Sequence, residues 1–140
     1  MKPWFVDASV LLAAEDPDDA NHAEANRLLS GHDPLATLDL VYYEVTNVAV
    51  RAWRDSSAAT RLSERVAAVA DDGGLARVDP SLISNAKAIA EETGISVCDA
   101  AYVAAARAWD VELVSCDIRD LVSRGLARVP ADARSAEFSP

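Results

Sequence analysis

Zinc knuckles, disulfide scaffolds and histidine catalysis all need residues that this chain hardly has. It contains two cysteines, Cys98 and Cys116, and two histidines, His22 and His32. Two well-separated cysteines make neither a disulfide framework nor a metal knuckle. Neither histidine has a His or Cys partner at ligand spacing, so a zinc site is not expected. Both cysteines read as small buried hydrophobes. Long apolar runs are missing too: none reaches the ~18 residues of a membrane span. The opening Met1-Lys2-Pro3-Trp4-Phe5-Val6-Asp7 meets an acid too soon for a signal peptide. The expected setting is therefore cytoplasmic, with no membrane partner. Glycine and proline are sparse and fall between periodic segments, as punctuation does. There is no repeat, low-complexity tract or long linker, so residues 1–140 read as one domain.

Positive charge is also scarce. The formal net charge is −10, and lysine is nearly absent, with Lys2 and Lys87 the only two. Taken alone, this argues against nucleic acid, because phosphate contacts want a basic surface. Two features offset it. A divalent ion would neutralise part of a clustered negative charge. The positive charge that exists is almost all arginine, the better fork for phosphate. Arg51, Arg54, Arg61 and Arg65 are candidates for a basic rim, or else they are solvated helix faces. A basic protein partner is the other natural consequence of such acidity.

What is abundant is apolar residue, 51% of the chain, enough for a real core. Trp4-Phe5-Val6 reads as a short buried strand, followed by a helix over Ser9 to Ala14, a polar loop over Glu15 to Asn21 and a helix over His22 to Leu29. Leu35-Ala36-Thr37 is a possible strand. Val41, Val45, Val48, Ala49 and Ala52 recur at threes and fours, which predicts a helix from Val41 to Trp53; Trp53 reads as helix core or dimer interface. A second amphipathic helix spans Ala58 to Ala70. Asp71-Asp72-Gly73-Gly74 reads as a turn and Ala76-Arg77-Val78 as a strand. Asp79 can cap a helix starting at Pro80 and ending near Thr93, with Gly94 as C-cap. Ser96 opens a helix to about Trp109. Glu112-Leu113-Val114-Ser115 is a strand, Ile118 to Arg124 a short helix closed by Gly125, and Leu126 to Val129 a candidate last strand. Short strands alternating with helices predict a three-layer α/β/α sandwich around a mainly parallel sheet.

In such sheets, ligands sit beyond the carboxyl ends of the strands. Asp7 and Asp117 each stand just past a strand's carboxyl end. Either could simply cap the following helix, with Ser9 and Ser115 placed to hold a carboxylate or a backbone group. Glu44 lies on the apolar face of its helix, three after Val41 and four before Val48. A carboxylate there is held in a buried ion pair, stands at an edge reaching solvent, or binds an internal metal. Asp99 is the only charge between Ser96 and Ala106. Ser96-x-x-Asp99 resembles a capping box, yet capping does not require the small, greasy helix that follows. Asp120 is a fifth acid or a first-turn residue favoured by the helix dipole, and the latter is the preferred reading. Each signal is weak alone. Jointly, four carboxylates converge on one sheet edge, which is tolerable only with a cation, and all-oxygen donors select Mg²⁺ or Mn²⁺.

Four segments carry a resemblance. Trp4-Phe5-Val6-Asp7-Ala8-Ser9-Val10-Leu11, Tyr43-Glu44-Val45-Thr46-Asn47-Val48, the run from Ile95 to Ala106, and Leu113-Val114-Ser115-Cys116-Asp117-Ile118-Arg119-Asp120-Leu121 resemble, in order and spacing, the four motifs of PIN-domain ribonucleases. The likeness covers nearly the whole chain, and small single-domain members of this family are usually toxins of the VapC kind. It implies a Mg²⁺- or Mn²⁺-dependent endoribonuclease, the toxin of a type II toxin–antitoxin pair, neutralised by a VapB-type antitoxin and commonly a homodimer. The implied metal ligands are Asp7 and Asp99, with Glu44 and Asp117 completing the acidic site. One departure is Ser115, where the family usually carries Thr; the hydroxyl is kept.

The expected chemistry is metal-assisted, in-line hydrolysis of an RNA phosphodiester. A carboxylate such as Glu44 or Asp117 orients the attacking water, leaving 5′-phosphate and 3′-hydroxyl ends. RNA choice would come from splayed bases read near the site. The main alternative is a catalytically silent PIN-fold binding or regulatory module. A phospho-receiver domain fits poorly, lacking a paired acid at Asp7 and any lysine after Lys87. A haloacid-type phosphatase fits poorly because Asp7-Ala8-Ser9 is not Asp-x-Asp.

Overall fold

The computed structural model describes residues 1–134, so the last six residues of the expected 1–140 domain lie outside the described part. Four strands, β1 (Trp4–Val6), β2 (Leu35–Leu38), β3 (Gly74–Ala76) and β4 (Leu113–Val114), form one sheet. Its order is β3-β2-β1-β4, and every pairing is parallel. The helices are α1 (Ala8–Glu15), α2 (His22–Ser30), α3 (Val41–Asn47), α4 (Ser56–Asp72), α5 (Pro80–Thr93) and α6 (Val97–Ala108).

This order sets the layers. From β1 to β2 to β3 the chain steps one way across the sheet, so right-handed crossovers put α1–α4 on one face. From β3 it then returns past β1 to β4, which sends α5 and α6 to the other face. The contacts agree: α1, α2, α3 and α4 pack among themselves, and α5 packs on α6. The step reverses between β1 and β4, and that is where an open α/β sheet makes its crevice. The expected α/β/α sandwich is the one found.

The core lies where the patterns placed it. Phe5, Val6, Val10, Leu11, Leu38, Val41, Val45, Leu62, Val66 and Val114 are buried. All four residues of β2 are buried, as in a strand covered on both faces. Every residue from Ala100 to Ala106 is buried, which is why α6 carries so little charge. Phe5 meets Trp109 edge to face, with ring centroids 5.7 Å apart. Among the described residues, no helix is long and apolar enough to cross a membrane.

The caps were legible. Asp79 accepts from the Leu82 amide at 2.8 Å, with Pro80 in the first turn. Gly94 ends α5 with φ +81, and Ser96 accepts from the Asp99 amide at 3.0 Å.

Some boundaries differ. The predicted turn Asp71–Gly74 is instead the end of α4 and the start of β3, so the strand predicted at Ala76–Val78 begins two residues earlier. The cause is long-range. Asp72 accepts from the Leu35 amide at 2.9 Å and the Gly73 amide donates to the Leu35 carbonyl at 2.8 Å. A Cβ on Gly73 would lie 2.2 Å from that carbonyl oxygen, so the helix end abuts β2 and the chain enters the sheet at once. The helix predicted over Val41–Trp53 is α3 followed by a wide π turn at Val48–Ala52. That over Ile118–Arg124 is a π turn at Ile118–Val122. The strand predicted at Leu126–Val129 is reduced to one parallel bridge between Val114 and Arg128.

Candidate active site

Asp7 stands at the carboxyl end of β1 and caps α1. It is 5% exposed, and its Oδ1 accepts from the Ser9 amide at 3.1 Å and the Ser9 hydroxyl at 2.5 Å. While its O–H donates to Asp7, the Ser9 oxygen accepts from the Cys116 amide at 2.8 Å and lies 3.3 Å from the Ser115 hydroxyl. The Ser115 hydroxyl accepts from the Asp117 amide at 3.0 Å. Two serines thus stitch the ends of the neighbouring strands β1 and β4. Both were singled out from the sequence. Both Ser9 bonds fall on Oδ1 of Asp7.

Asp117 caps the π turn, accepting from the Asp120 amide at 3.0 Å. The turn brings Asp120 round beside it. One carboxylate oxygen each of Asp99, Asp117 and Asp120 lies within 4.8 Å of the others. Asp120, read from the sequence as a first-turn acid, is that and also part of this group. The two expected metal ligands, Asp7 and Asp99, are not the tightest set; the trio around Asp99 is. Asp7 and Glu44 flank it, near enough for the Asp99 charge to act on both.

Glu44 is in the first turn of α3, half-buried, with Oε1 accepting from the Tyr102 hydroxyl at 2.5 Å. Tyr102 did not stand out in the sequence as a neighbour of the site. The signal was present: Tyr102 follows Asp99 by three on the same helix, so both lie on one face, and a buried phenol needs a hydrogen-bond partner.

The electrostatics describe a site short of positive charge. Burial pushes Asp7 up to about 6, partly offset by the Ser115 and Ser9 hydroxyls, with Asp99 repulsion adding to the rise. Burial raises Glu44 as well, with Tyr102 opposing and Asp99 adding. Burial, then the Asp117 charge, raises Asp99 above the ordinary carboxylate range. Tyr102 is raised far above the usual phenol range by burial and the Glu44 charge, and so stays a donor. Among the described residues, the one ion pair made by any of these five acids is Arg119–Asp120 at 3.2 Å. Uncompensated carboxylates with only oxygen donors fit a hard divalent cation.

Other expectations fare differently. Cys116 is half-buried, and burial, then the Asp7 charge, pushes its thiol up to about 12. Cys98, expected to be buried, is exposed, because it lies in the first turn of α6 and the buried run of that helix begins only at Ala100. Burial raises its thiol too, so neither cysteine is activated. Of the candidate rim arginines, Arg61 and Arg65 pair with Glu15 at 2.5 and 3.5 Å, while Arg51 and Arg54 are exposed. Trp53 packs against the core. His22 Nδ1 lies 2.9 Å from the Ala13 carbonyl, a structural bond.

A parallel α/β/α sandwich with five acids at the strand-order reversal is the arrangement of a PIN domain, and the PIN-domain family profile matches residues 4–125. The chain belongs to that family. Similar solved structures include the Mycobacterium tuberculosis toxin VapC20, described as cleaving the sarcin–ricin loop. It is 24% identical, with a TM-score of 0.72 over 89% of this chain and 97% of that one. A Pyrobaculum aerophilum protein is 25% identical, with a TM-score of 0.69 over 93% of this chain and 85% of that one. A chain of a Klebsiella pneumoniae toxin–antitoxin complex is 16% identical, with a TM-score of 0.69 over 91% and 97%. No curated protein sequence matches the chain.

Proposed function

We propose that the chain is a Mg²⁺- or Mn²⁺-dependent endoribonuclease, the toxin of a toxin–antitoxin pair, with residues 1–140 acting as one cytoplasmic nuclease domain. The observation that carries the reading is the Asp99–Asp117–Asp120 group, three carboxylates within 4.8 Å at the crevice of the sheet. The fold likeness to VapC20 and to a toxin–antitoxin complex supports a toxin role, an RNA substrate and an antitoxin partner of the VapB kind; the homodimer is what the family resemblance implies.

Asp99, Asp117 and Asp120 would hold the ion, with Asp7 and Glu44 beside them. A divalent ion supplies Lewis acidity and lowers the pKa of a bound water. The residues do the rest. Ser9 holds the Asp7 carboxylate through Oδ1, and the Ser115 hydroxyl lies beside Ser9. Glu44 or Asp117 orients the attacking water and accepts its proton, in line with the leaving 3′ oxygen. The products carry 5′-phosphate and 3′-hydroxyl ends.

The test is cleavage of defined tRNAs and an unstructured RNA by pure protein with Mn²⁺, Mg²⁺ or EDTA, beside Asp99→Asn. Metal-dependent cutting that Asp99→Asn loses is the expected result. Ends bearing 2′,3′-cyclic phosphate would overturn the mechanism. Bound metal without cutting of any RNA would favour the silent binding module.

A further inference from the structure

Glu44 and Asp99 reach the crevice from opposite layers. The helix α3 packs on α1 and α4, and α6 packs on α5, β2 and β4. Little besides the site joins the two helices, so the position of Glu44 relative to the Asp99 group is set by few contacts. One is well defined: the Tyr102 hydroxyl donates to Glu44 Oε1 at 2.5 Å. Tyr102 is 2% exposed and packed within the core, so its ring is held on all sides. The phenol is a rigid arm from α6, ending on one oxygen of a half-buried carboxylate.

We propose that Tyr102 is a positioning residue of the site. It fixes the Glu44 side chain across the two layers and occupies Oε1, so that Glu44 offers only Oε2 to the metal or to a metal-held water. This rests on the metal-dependent reading above. It differs from capping or packing in its consequence: the hydroxyl, not the ring, matters, and it matters only while Glu44 is present. Metal sites depend on such outer hydrogen bonds to orient their ligands, with typical losses of 10- to 100-fold when one is removed.

The test is a double-mutant cycle of Tyr102→Phe and Glu44→Ala, with Mn²⁺ affinity measured by calorimetry and RNA cleavage followed in parallel. Phe keeps the ring, so the core stays filled. The expected result is Mn²⁺ affinity roughly 10-fold weaker in Tyr102→Phe. The same substitution should have no further effect in the Glu44→Ala background. In cleavage, Tyr102→Phe should lower kcat with KM for RNA unchanged. Wild-type Mn²⁺ affinity in Tyr102→Phe overturns the proposal, and so does an equal loss with and without Glu44. Wild type that binds Mn²⁺ but cuts no RNA sinks the nuclease reading alone, because the calorimetric cycle still decides the role of Tyr102. Wild type that binds no Mn²⁺ sinks both.

Discussion

At the scale of single residues, Asp7 combines two roles that conflict. It caps a helix and lines the crevice, yet it is buried without a cation among the described residues. Burial pushes it up to about 6 from its ordinary value of 3.8. Between those pH values the folded chain keeps a proton that the unfolded chain has released. Stability of the metal-free protein therefore falls as pH rises through this window, and the whole deficit is present above it. The cost at neutral pH is roughly 2–3 kcal/mol. Asp7→Asn keeps an oxygen for the Ser9 bonds and should raise metal-free stability in urea at pH 7.5, with the gain vanishing near pH 4. An equal gain at both pH values would mean that packing, not charge, is responsible. Asp99 lies at the centre of the acid group. Asp99→Asn should lower kcat by about 10²- to 10⁴-fold, as loss of a group stabilising transition-state charge does.

At the scale of elements, what fixes the site is how helices begin and end. Asp79 caps α5 far from the acid group in sequence. Asp79→Ala should cost about 1 kcal/mol of unfolding free energy and leave RNA cleavage per folded molecule unchanged. The junction of α4 with β3 is less forgiving. Gly73 lies against the Leu35 backbone, where a Cβ would meet the carbonyl oxygen at 2.2 Å. Gly73→Ala should cost roughly 2–3 kcal/mol in urea unfolding, since backbone on both sides must move. Full stability in that variant would show that the junction can open freely. The Asp-Asp-Gly-Gly run looks like a turn in isolation because its partner, Leu35, is far away in sequence. Local chemistry reports a break in the helix; only the neighbouring strand decides that the break has no length.

At the scale of the molecule, a net charge of −10 gathers part of its cost in one crevice. A cation bound there stabilises the fold by mass action, by about 2.7 kcal/mol at 100 times its Kd. Mn²⁺ should therefore raise the Tm of wild type, EDTA should reverse this, and Asp99→Asn should show a much smaller rise. The comparison uses the whole protein and needs no RNA. An identical rise in both proteins would place the ion elsewhere.

Periodicity, caps and apolar runs belong to short stretches of chain, so the sequence alone determined most of the element order, most of the buried faces and the caps at Asp79 and Ser96, and it marked Asp7, Glu44, Asp99 and Asp117 as candidates. It also carried the hydroxyls of Ser9 and Ser115. Tertiary structure decided what depends on neighbours distant in sequence. Parallel pairing put β4 beside β1, so that Ser9 and Ser115 could meet. The turn after Asp117 put Asp120 beside Asp117 and brought both to Asp99, which α6 supplies from elsewhere in the chain. The layering placed the Tyr102 phenol on Glu44, although 58 residues separate them. A sequence shows which groups need partners, because burial and charge demand them; which partner satisfies each group is decided when the chain closes.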